Sequence, residues 1–346
     1  MRDIRELMYM QSLPLKDKIE LTRQRIQGWY EHWNGEVFIS FSGGKDSTVL
    51  LKLVRELYPS VEAVFVDTGL EYTQIRQFVK TFDNVTILRP KMRFDEVVCK
   101  YGYPLISKEV AHNIALSKAA LAKGKTNMRY YKRLLGEDVD SDGNPSAYNC
   151  KKYLPLLYED FNVSDTCCSI MKKNPSHSYS KQTGKKAITA QMAVESKLRT
   201  QKWREHGCNA FDTKNPTSNP MIFWTEQDVL EYIYIYNVPI CSVYGEVVHD
   251  DEQLNLDGEW ETKYHTTGAK RTGCVFCGFG AHFDKQKGDK TRFELLKEID
   301  RKKYDYCFSG GEYVDGIWKP NKNGLGMQYV YERLNDIYGE DFVKWK

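Results

Sequence analysis

Apolar positions in the first ninety residues alternate between short buried-type runs and stripes at helical spacing. The run Val37-Phe38-Ile39 predicts a strand, and the apolar positions from Val49 to Leu57 predict the helix that follows it. A second strand in residues 61–67 leads into a helix that reaches Val79, and a third strand spans residues 85–88. This order predicts an α/β fold built on a doubly wound, mostly parallel sheet.

The pattern continues on both sides of this core. Residues 1–34 read as helical, with a break at Leu13-Pro14. After residue 164 the pattern predicts a strand at 186–189, a helix from Glu195 toward His206, and a helix at 226–235. Thr225, with Asp228 three residues later, is the expected cap of that last helix.

Three regions follow from this reading. Residues 1–34 are N-terminal helices, and residues 35–245 form a nucleotide-binding α/β domain. Within that domain, residues 107–164 are polar and basic and are interpreted as a helical or loop insertion that covers the site. Residues 246–346 form a C-terminal extension that carries a Cys-x-x-Cys loop.

The chemical centre of the domain is the sequence Ser42-Gly43-Gly44-Lys45-Asp46-Ser47, placed between a strand and a helix. The glycines allow backbone N–H groups to converge on an anion, and the helix N-terminus and Lys45 add positive charge. The G-x-x-x-x-G-K-[ST] pattern of the common P-loop is absent. An ordinary strand-to-helix turn is the alternative, and a phosphate site is favoured.

Composition narrows the class of protein. A net charge of +3 in 346 residues argues against a general polyanion-binding surface. Residues 118–133 carry six basic residues and two tyrosines without an acidic one, so this stretch either contacts a nucleic acid or is a solvated helix face. A charged N-terminal segment and the lack of any run of 18 apolar residues predict a cytoplasmic protein with no membrane association.

Nine cysteines in such a chain direct attention to metal binding. Five are scattered singly (Cys99, Cys150, Cys208, Cys241 and Cys307) and are expected to be incidental thiols. The others form two pairs, Cys167-Cys168 and Cys274-x-x-Cys277, which together offer four thiolates. Four thiolates can hold Zn²⁺ or a [4Fe–4S] cluster, and adjacent cysteines suit a multinuclear cluster better than one ion.

The SGGKDS sequence resembles the PP-loop signature of the ATP pyrophosphatase, or adenine nucleotide alpha hydrolase-like, superfamily. Within it, VDTG at 66–69, ITAQMAVESKLR at 188–199 and MIFWTEQDVLEYI at 221–233 are similar to the phosphoadenosine phosphosulfate (PAPS) reductase family. The Cys-Cys and Cys-x-x-Cys pairs resemble the cluster motif of assimilatory adenylylsulfate reductases. The resemblance runs from about residue 36 to 280 and leaves 107–164 uncovered.

This resemblance implies roles for individual residues. The 42–47 loop would bind the pyrophosphate of ATP and its Mg²⁺, with Lys45, Asp46 and Arg199 as catalytic groups. Asp67, Thr68 and Gly69 would lie near the adenosine. Glu195 and Ser196 would face the phosphates or the leaving group, and Cys167, Cys168, Cys274 and Cys277 would hold the cluster.

Three departures from the reductase pattern shape the functional hypothesis. The loop is intact, whereas the reductases usually have a degenerate one. No Glu-Cys-Gly stretch occurs near the C-terminus, and Gln191, Met192 and Ala193 stand where reductases typically have arginines. These features resemble PP-loop sulfur-insertion enzymes, including the ATP pyrophosphatase component of DNA phosphorothioation.

The leading hypothesis is therefore an enzyme that cleaves ATP to AMP and pyrophosphate to activate an acceptor for iron–sulfur-dependent sulfur transfer. Its expected partners are an adenine nucleotide, a nucleic-acid acceptor bound by 118–133, and a sulfur donor protein. A PAPS or adenylylsulfate reductase that uses Cys307 as nucleophile is the second hypothesis. The third is a nucleotide-binding iron–sulfur sensor or partner subunit without turnover.

Overall fold

The computed structural model describes residues 1–250, 253–254, 260–287 and 290–346. Its helices are α1 Ile4–Ser12, α2 Leu15–His32, α3 Lys45–Leu57, α4 Thr73–Val79, α5 Phe94–Tyr101, α6 Lys108–Leu121, α7 Arg129–Leu135, α8 Asn174–Thr183, α9 Lys197–His206, α10 Glu226–Ile235, α11 Arg292–Ile299, α12 Arg301–Phe308 and α13 Met327–Tyr338.

The strands are β1 Val37–Ser40, β2 Ala63–Val66, β3 Val85–Leu88, β4 Leu105–Ile106, β5 Lys186–Ile188, β6 Asn209–Ala210, β7 Thr217–Ser218, β8 Val247–His249, β9 Gln253–Leu254, β10 Trp260–Glu261, β11 Tyr264–Thr266, β12 Gly278–Phe279, β13 Glu312–Val314 and β14 Ile317–Lys319. Short 3₁₀ segments at Lys151–Leu157 and Ser242–Tyr244 connect some of them.

The chain packs into two compact units, which are described separately. The first consists of residues 1–67, 71–89 and 174–272, and the second of residues 68–70, 90–173 and 273–346. This division differs from the three regions expected from sequence. The N-terminal helices belong to the first unit, because Ile26 and Trp29 of α2 are completely buried there. The 107–164 segment and the C-terminal region share the second unit, and positions 251–252, 255–259 and 288–289 of the expected C-terminal region lie outside the described residues.

A six-stranded sheet forms the centre of the first unit, in the order β3-β2-β1-β5-β7-β6. All neighbouring strands are parallel except β6 and β7. From β1 the chain proceeds to β2 and β3 on one side, and β5 then pairs with the other side of β1. The predicted doubly wound, mostly parallel α/β sheet is confirmed.

The strand β1 is central because its side chains are apolar in succession, as expected of a strand covered on both faces. Val37, Phe38 and Ile39 are all buried. The helix α3 that follows buries Val49, Leu50, Leu53 and Val54 completely. The carboxyl ends of β1 and β5 meet at one edge because the two strands are parallel, and chain reversal at this point makes that edge the expected ligand site.

Helices dominate the second unit. The 107–164 segment contains α6, α7 and the 3₁₀ segment, in agreement with a helical insertion. Strand β12, which follows the Cys-x-x-Cys sequence, pairs in parallel with β4, which precedes that segment. The two parts of this unit are thus joined at the cysteine loop.

Candidate functional site

The 42–47 loop lies between β1 and α3 and depends on its first glycine. Gly43 has a φ of +72°, and a Cβ atom there would meet Cγ2 of Val79 at 2.8 Å and Cγ2 of Ile75 at 2.9 Å. No L-residue satisfies both the backbone angle and this close approach to α4. Gly43 is therefore required for the turn that places the next residues at the N-terminus of α3.

Hydroxyl groups hold the loop in shape. The hydroxyl of Ser47 donates to the carbonyl oxygen of Gly44 at 2.9 Å and accepts from the N–H of Ser42 at 3.2 Å. The hydroxyl of Ser42 accepts from the N–H of Gly44 at 3.3 Å. The two serines thus hold the loop from both sides, and the side chain of Ser42 remains exposed.

Lys45 is almost completely buried, with 4% of its surface exposed. Its ammonium donates to Oε1 of Glu226 at 2.9 Å and to the carbonyl oxygen of Lys270 at 2.8 Å. Its backbone N–H donates to the hydroxyl of Tyr244 at 3.3 Å. Burial alone would raise the pKa of Glu226, but the neighbouring Lys45 and Arg271 hold it below its usual value.

Asp46, the first-turn carboxylate of α3, has a buried Oδ1 atom without a hydrogen-bond partner. Burial raises the pKa of Asp46, and Glu226 adds to this effect. Lys45, Arg271 and Arg199 oppose it by attraction. Three cations thus lie within electrostatic reach of one carboxylate, and an unpaired carboxylate oxygen is a suitable ligand for Mg²⁺.

The segment after β5 supplies Arg199. Its guanidinium contacts the carboxylate of Glu195, which also accepts a hydrogen bond from the N–H of Met192. Burial and the nearby Arg271 lower the pKa of Arg199, whereas Asp46 raises it. Ser196 caps α9 by accepting the N–H of Arg199, so the helix begins two residues later than predicted and the hydroxyl has a structural role.

The three residues of the 67–69 sequence are divided between the two units. Asp67, in the first unit, accepts a hydrogen bond from Arg76 at 2.7 Å through Oδ2. In the second unit, the hydroxyl of Thr68 accepts the N–H of Leu70, and Gly69 has a φ of +75°. Asp67 directly follows β2, at the same edge of the sheet as the 42–47 loop, because β1 and β2 are parallel.

Sequence reasoning did not identify three contributors to this site: Glu226, Tyr244 and Arg271. The capping sequence at Thr225 and Asp228 correctly predicted where α10 begins, and Glu226 is its first residue. For Arg271, the two adjacent basic residues Lys270-Arg271 were a sequence feature that could have marked it as a candidate. Tyr244 had none, because its role depends on the fold, which brings its hydroxyl to the backbone of Lys45 and to Thr272.

The two cysteine pairs come together in the second unit. A hydrogen bond with Cys168 and burial raise the pKa of Cys167, and the nearby thiols of Cys277 and Cys274 raise it further. The pKa of Cys168 is lowered by that same hydrogen bond and by Lys108 and Lys172. Thiols of the two pairs therefore interact with each other: Cys167 with Cys274 and Cys277, and Cys168 with Cys277.

The Cys274–Cys277 loop is held through its backbone. The N–H of Val275 donates to the carbonyl of Leu70 at 2.8 Å, and the N–H of Cys277 donates to the carbonyl of Cys274 at 3.0 Å. Gly278 cannot carry a side chain, because a Cβ atom would meet the carbonyl oxygen of Pro104 at 2.6 Å. Burial raises the pKa of Cys277 to about 11.

Four thiolates are the donors that a multinuclear thiolate cluster needs. In the described part of the chain, no three Cys, His, Asp or Glu side chains stand in an arrangement that could hold a metal ion. None of the nine cysteines, all of which lie in the described residues, forms a disulfide bond. Cys307 in α12 is completely buried, and its Sγ lies 3.4 Å from Sδ of Met327.

Residues 118–133 form the end of α6, a connection and the start of α7 in the second unit. Lys118 donates to the carbonyl oxygens of Glu159 and Phe161, and Arg129 and Arg133 both donate to the buried carboxylate of Asp138. These three cations therefore have intramolecular partners. Among the described residues, no helix has the length and apolar character needed to cross a membrane.

Comparison with known proteins adds two sequence relatives. An uncharacterized protein of Methanocaldococcus jannaschii is 36% identical over 101 residues, which are 26% of this chain and 24% of that protein. This chain thus spans about a quarter of that relative. An adenosine 5'-phosphosulfate reductase of Staphylococcus epidermidis is 22% identical over 243 residues, which are 69% of this chain and 77% of that enzyme.

Among solved structures, the phosphoadenylyl-sulfate (PAPS) reductase from Candida auris, in a phosphate complex, matches 70% of this chain and 91% of its own. The TM-score is 0.36 and the sequence identity 15%.

The model of the phosphoadenosine phosphosulfate reductase domain matches residues 36–118 and 126–278. The match is interrupted only between residues 118 and 126, so the expectation that the resemblance leaves 107–164 uncovered is corrected. That segment folds into helices whose polar and basic surface masks the apolar spacing. Because the matched segments make up more than half of the chain, this protein belongs to the phosphoadenosine phosphosulfate reductase domain family.

Proposed function

We propose that this protein cleaves ATP to AMP and pyrophosphate to activate an acceptor for iron–sulfur-dependent sulfur transfer. The observation that carries the proposal is the set of cations around Asp46 at the N-terminus of α3. Lys45, Arg199 and Arg271 all act on that carboxylate, whose Oδ1 has no protein partner. Such an arrangement suits a polyphosphate bound together with a divalent cation. The cationic side chains attract the phosphates, and the carboxylate oxygen of Asp46 attracts the metal ion.

The charge of each residue determines the role that we propose for it. Lys45 and the N-terminus of α3 would stabilise the negative charge that develops on the pyrophosphate leaving group. Arg199 and Arg271 would hold the α-phosphate, for which the planar guanidinium provides paired donors. Asp46 would hold Mg²⁺, which supplies further charge neutralisation at the phosphates.

In the reaction, an oxygen of the acceptor attacks the α-phosphorus of ATP. A bond forms between these two atoms, the bond from the α-phosphorus to the bridging oxygen breaks, and pyrophosphate leaves with the electron pair. Sulfide released by a donor protein then bonds to the acceptor atom that carries the adenylated oxygen, the bond between that atom and the oxygen breaks, and AMP leaves with the electron pair. Cys167, Cys168, Cys274 and Cys277 would hold a [4Fe–4S] cluster, which would supply a binding place for that sulfur.

The acceptor under this proposal is a nucleic acid. Lys123, Lys125 and Lys132 are exposed in the 118–133 stretch, where Tyr130 and Tyr131 provide aromatic surface. Exposed lysines and aromatic rings are the groups that bind phosphates and stack bases. Binding of a labelled single strand, weakened in a variant with all three lysines replaced by glutamine, tests this part of the proposal.

A reductase is the second candidate, supported by the named function of the S. epidermidis relative over most of both chains. The nucleophile proposed for it, Cys307, is the weak point. This thiol is fully buried, and burial raises its pKa well above the usual value, so little reactive thiolate forms.

The deciding experiment uses anaerobically purified protein with Mg-ATP and a candidate acceptor, and it measures pyrophosphate release. Asp46→Ala and Arg199→Ala are expected to reduce the rate by roughly 10²-fold or more, since each removes charge stabilisation in the transition state. Lys202→Ala, an exposed site on the same helix α9, is the matched control. Sulfite release from PAPS or adenylylsulfate without pyrophosphate would establish the reductase instead. Nucleotide binding without either product would establish the sensor.

A further inference from the structure

A side chain that the family resemblance did not point to, that of Arg292, holds the backbone at the end of the Cys274–Cys277 loop. Arg292, the first residue of α11, donates through Nη1 to the carbonyl oxygen of Cys277 at 3.1 Å and to that of Phe279 at 2.9 Å. One guanidinium nitrogen thus bridges the two carbonyls on either side of Gly278. These contacts fix the direction in which the chain leaves Cys277.

Asp284 holds the other side of this guanidinium. Its Oδ2 accepts from Nε of Arg292 at 2.6 Å and its Oδ1 from Nη2 at 2.9 Å. Only 11% of the Asp284 side chain is exposed. A two-pronged pair of this kind restricts the plane of the guanidinium, so the remaining nitrogen has one direction in which to donate.

Within the loop, the side chains of Val275 and Phe276 are buried. Gly278, which follows the loop, has no side chain to pack, and the carbonyl of Pro104 and the hydroxyl of Tyr331 occupy the space where a Cβ would be. The direction in which the chain leaves Cys277 therefore depends on backbone hydrogen bonds. Asp284 and Arg292 both lie beyond residue 278, where the match to the family model ends.

We propose that Arg292, oriented by Asp284, is a positioning residue for Cys277 and keeps the Cys274–Cys277 loop in the conformation that receives the iron–sulfur cluster. The inference rests on the cluster of the proposed function. A guanidinium is needed because three of its nitrogens are used in fixed directions, which a lysine ammonium cannot reproduce. Groups that hydrogen-bond to the residues around a metal site typically change metal affinity by about 10–100-fold when removed.

The test compares wild-type full-length protein with Arg292→Lys and Asp284→Asn, all purified anaerobically. Iron and sulfide per chain are measured together with the visible spectrum. In iron-free protein, the rate at which iodoacetamide alkylates Cys277 is followed by mass spectrometry. Arg301→Lys is the control, because this arginine is exposed and donates to Asp305 within the same helix, α12.

The expected result is a loss of at least half of the iron in both variants, with Cys277 alkylated roughly tenfold faster and the thermal unfolding transition preserved. Arg301→Lys should match wild type. Full iron content and wild-type alkylation in Arg292→Lys would overturn the inference. If that variant does not fold, Asp284→Asn decides by the same two measurements. Wild-type protein without iron would instead refute the cluster of the proposed function, and the alkylation rates would still test the role of Arg292.

Discussion

The ammonium of Lys45 lies 2.9 Å from Oε1 of Glu226. This pair joins the lysine of the 42–47 loop to the first residue of α10. The lysine side chain is 5% exposed and that of the glutamate 43%. In the free protein, Glu226 therefore neutralises the charge that the proposed function assigns to the pyrophosphate. Under the proposed function, a nucleotide would compete with this carboxylate for Lys45.

Replacing Glu226 by glutamine should strengthen nucleotide binding. The amide keeps the size of the side chain but removes the competing charge, so the Kd for ATP should fall by roughly three- to tenfold, about 0.7–1.4 kcal/mol. Isothermal titration with a non-hydrolysable ATP analogue measures this. Glu20→Gln, an exposed site on α2, should leave the Kd unchanged. A weaker complex in Glu226→Gln would mean that the carboxylate helps to bind the nucleotide or its cation.

Asp46→Asn should increase stability while it removes activity. The pKa of Asp46 is raised in the folded protein by burial, so the folded state retains this proton more tightly than the unfolded chain. The destabilisation that the buried charge of Asp46 causes is absent below the pKa of ~3.9 in the unfolded chain. It develops as the pH rises through the pKa of Asp46 in the folded protein and is complete above it. A buried acceptor without a partner costs roughly 1–3 kcal/mol.

Thermal unfolding followed by circular dichroism from pH 4 to pH 8 checks this prediction. The Tm difference between Asp46→Asn and wild type should be small at the acidic end and positive at neutral pH. Asp212→Asn, at an exposed site, is the matched control for the substitution. An Asp46→Asn protein that is less stable than wild type at pH 8 would contradict the assignment of an unpaired buried carboxylate.

Gly43→Ala should destabilise the protein more than Gly184→Ala does. Both glycines have positive φ, +72° and +78°, but a Cβ at position 184 has no neighbour within 4 Å. Gly184→Ala should therefore cost only the backbone strain of roughly 1–2 kcal/mol. Gly43→Ala adds the contact with Ile75 and Val79, roughly 1–3 kcal/mol more. Urea unfolding of both variants measures the difference, and equal values would show that α4 moves away at little cost.

Cys307→Ala separates the two candidate enzymes. Because this thiol is buried in α12, its replacement should lower the free energy of unfolding by roughly 1 kcal/mol and leave ATP-dependent pyrophosphate release within about twofold of wild type. A reductase that used this cysteine would lose sulfite release completely. Coupled assays for pyrophosphate and for sulfite on the same preparation distinguish these outcomes.

Local patterns allowed most of the first unit to be anticipated. The strands at Val37–Ser40 and Val85–Leu88, the helix at Glu226–Ile235 and its cap at Thr225 all lie where the spacing predicted them. The 42–47 loop was recognisable because the residues that carry its chemistry are six consecutive ones. The roles of individual loop residues remain predictions.

The two compact units could not be predicted from local sequence patterns. The expected boundary at residue 245 rested on a loss of apolar pattern, yet the described residues between 246 and 272 pack with the first unit. The described residues from 273 to 346 instead pack with the 90–173 segment, because β12 pairs with β4. Pairing between strands of only two residues leaves no periodic signal in the sequence.

The sequence by itself determined the strands β1, β2, β3 and β5, the 42–47 loop and the identity of the four paired cysteines, because periodicity and short motifs act between neighbours along the chain. Only the tertiary structure decided that Glu226, Tyr244 and Arg271 surround Lys45 and Asp46. It also decided that Arg292 holds the carbonyl of Cys277. Glu226, Tyr244 and Arg271 lie about 180–225 positions from the loop, and an ordinary Glu, Tyr or Arg gives no local sign of the charge or carbonyl that it will meet after folding.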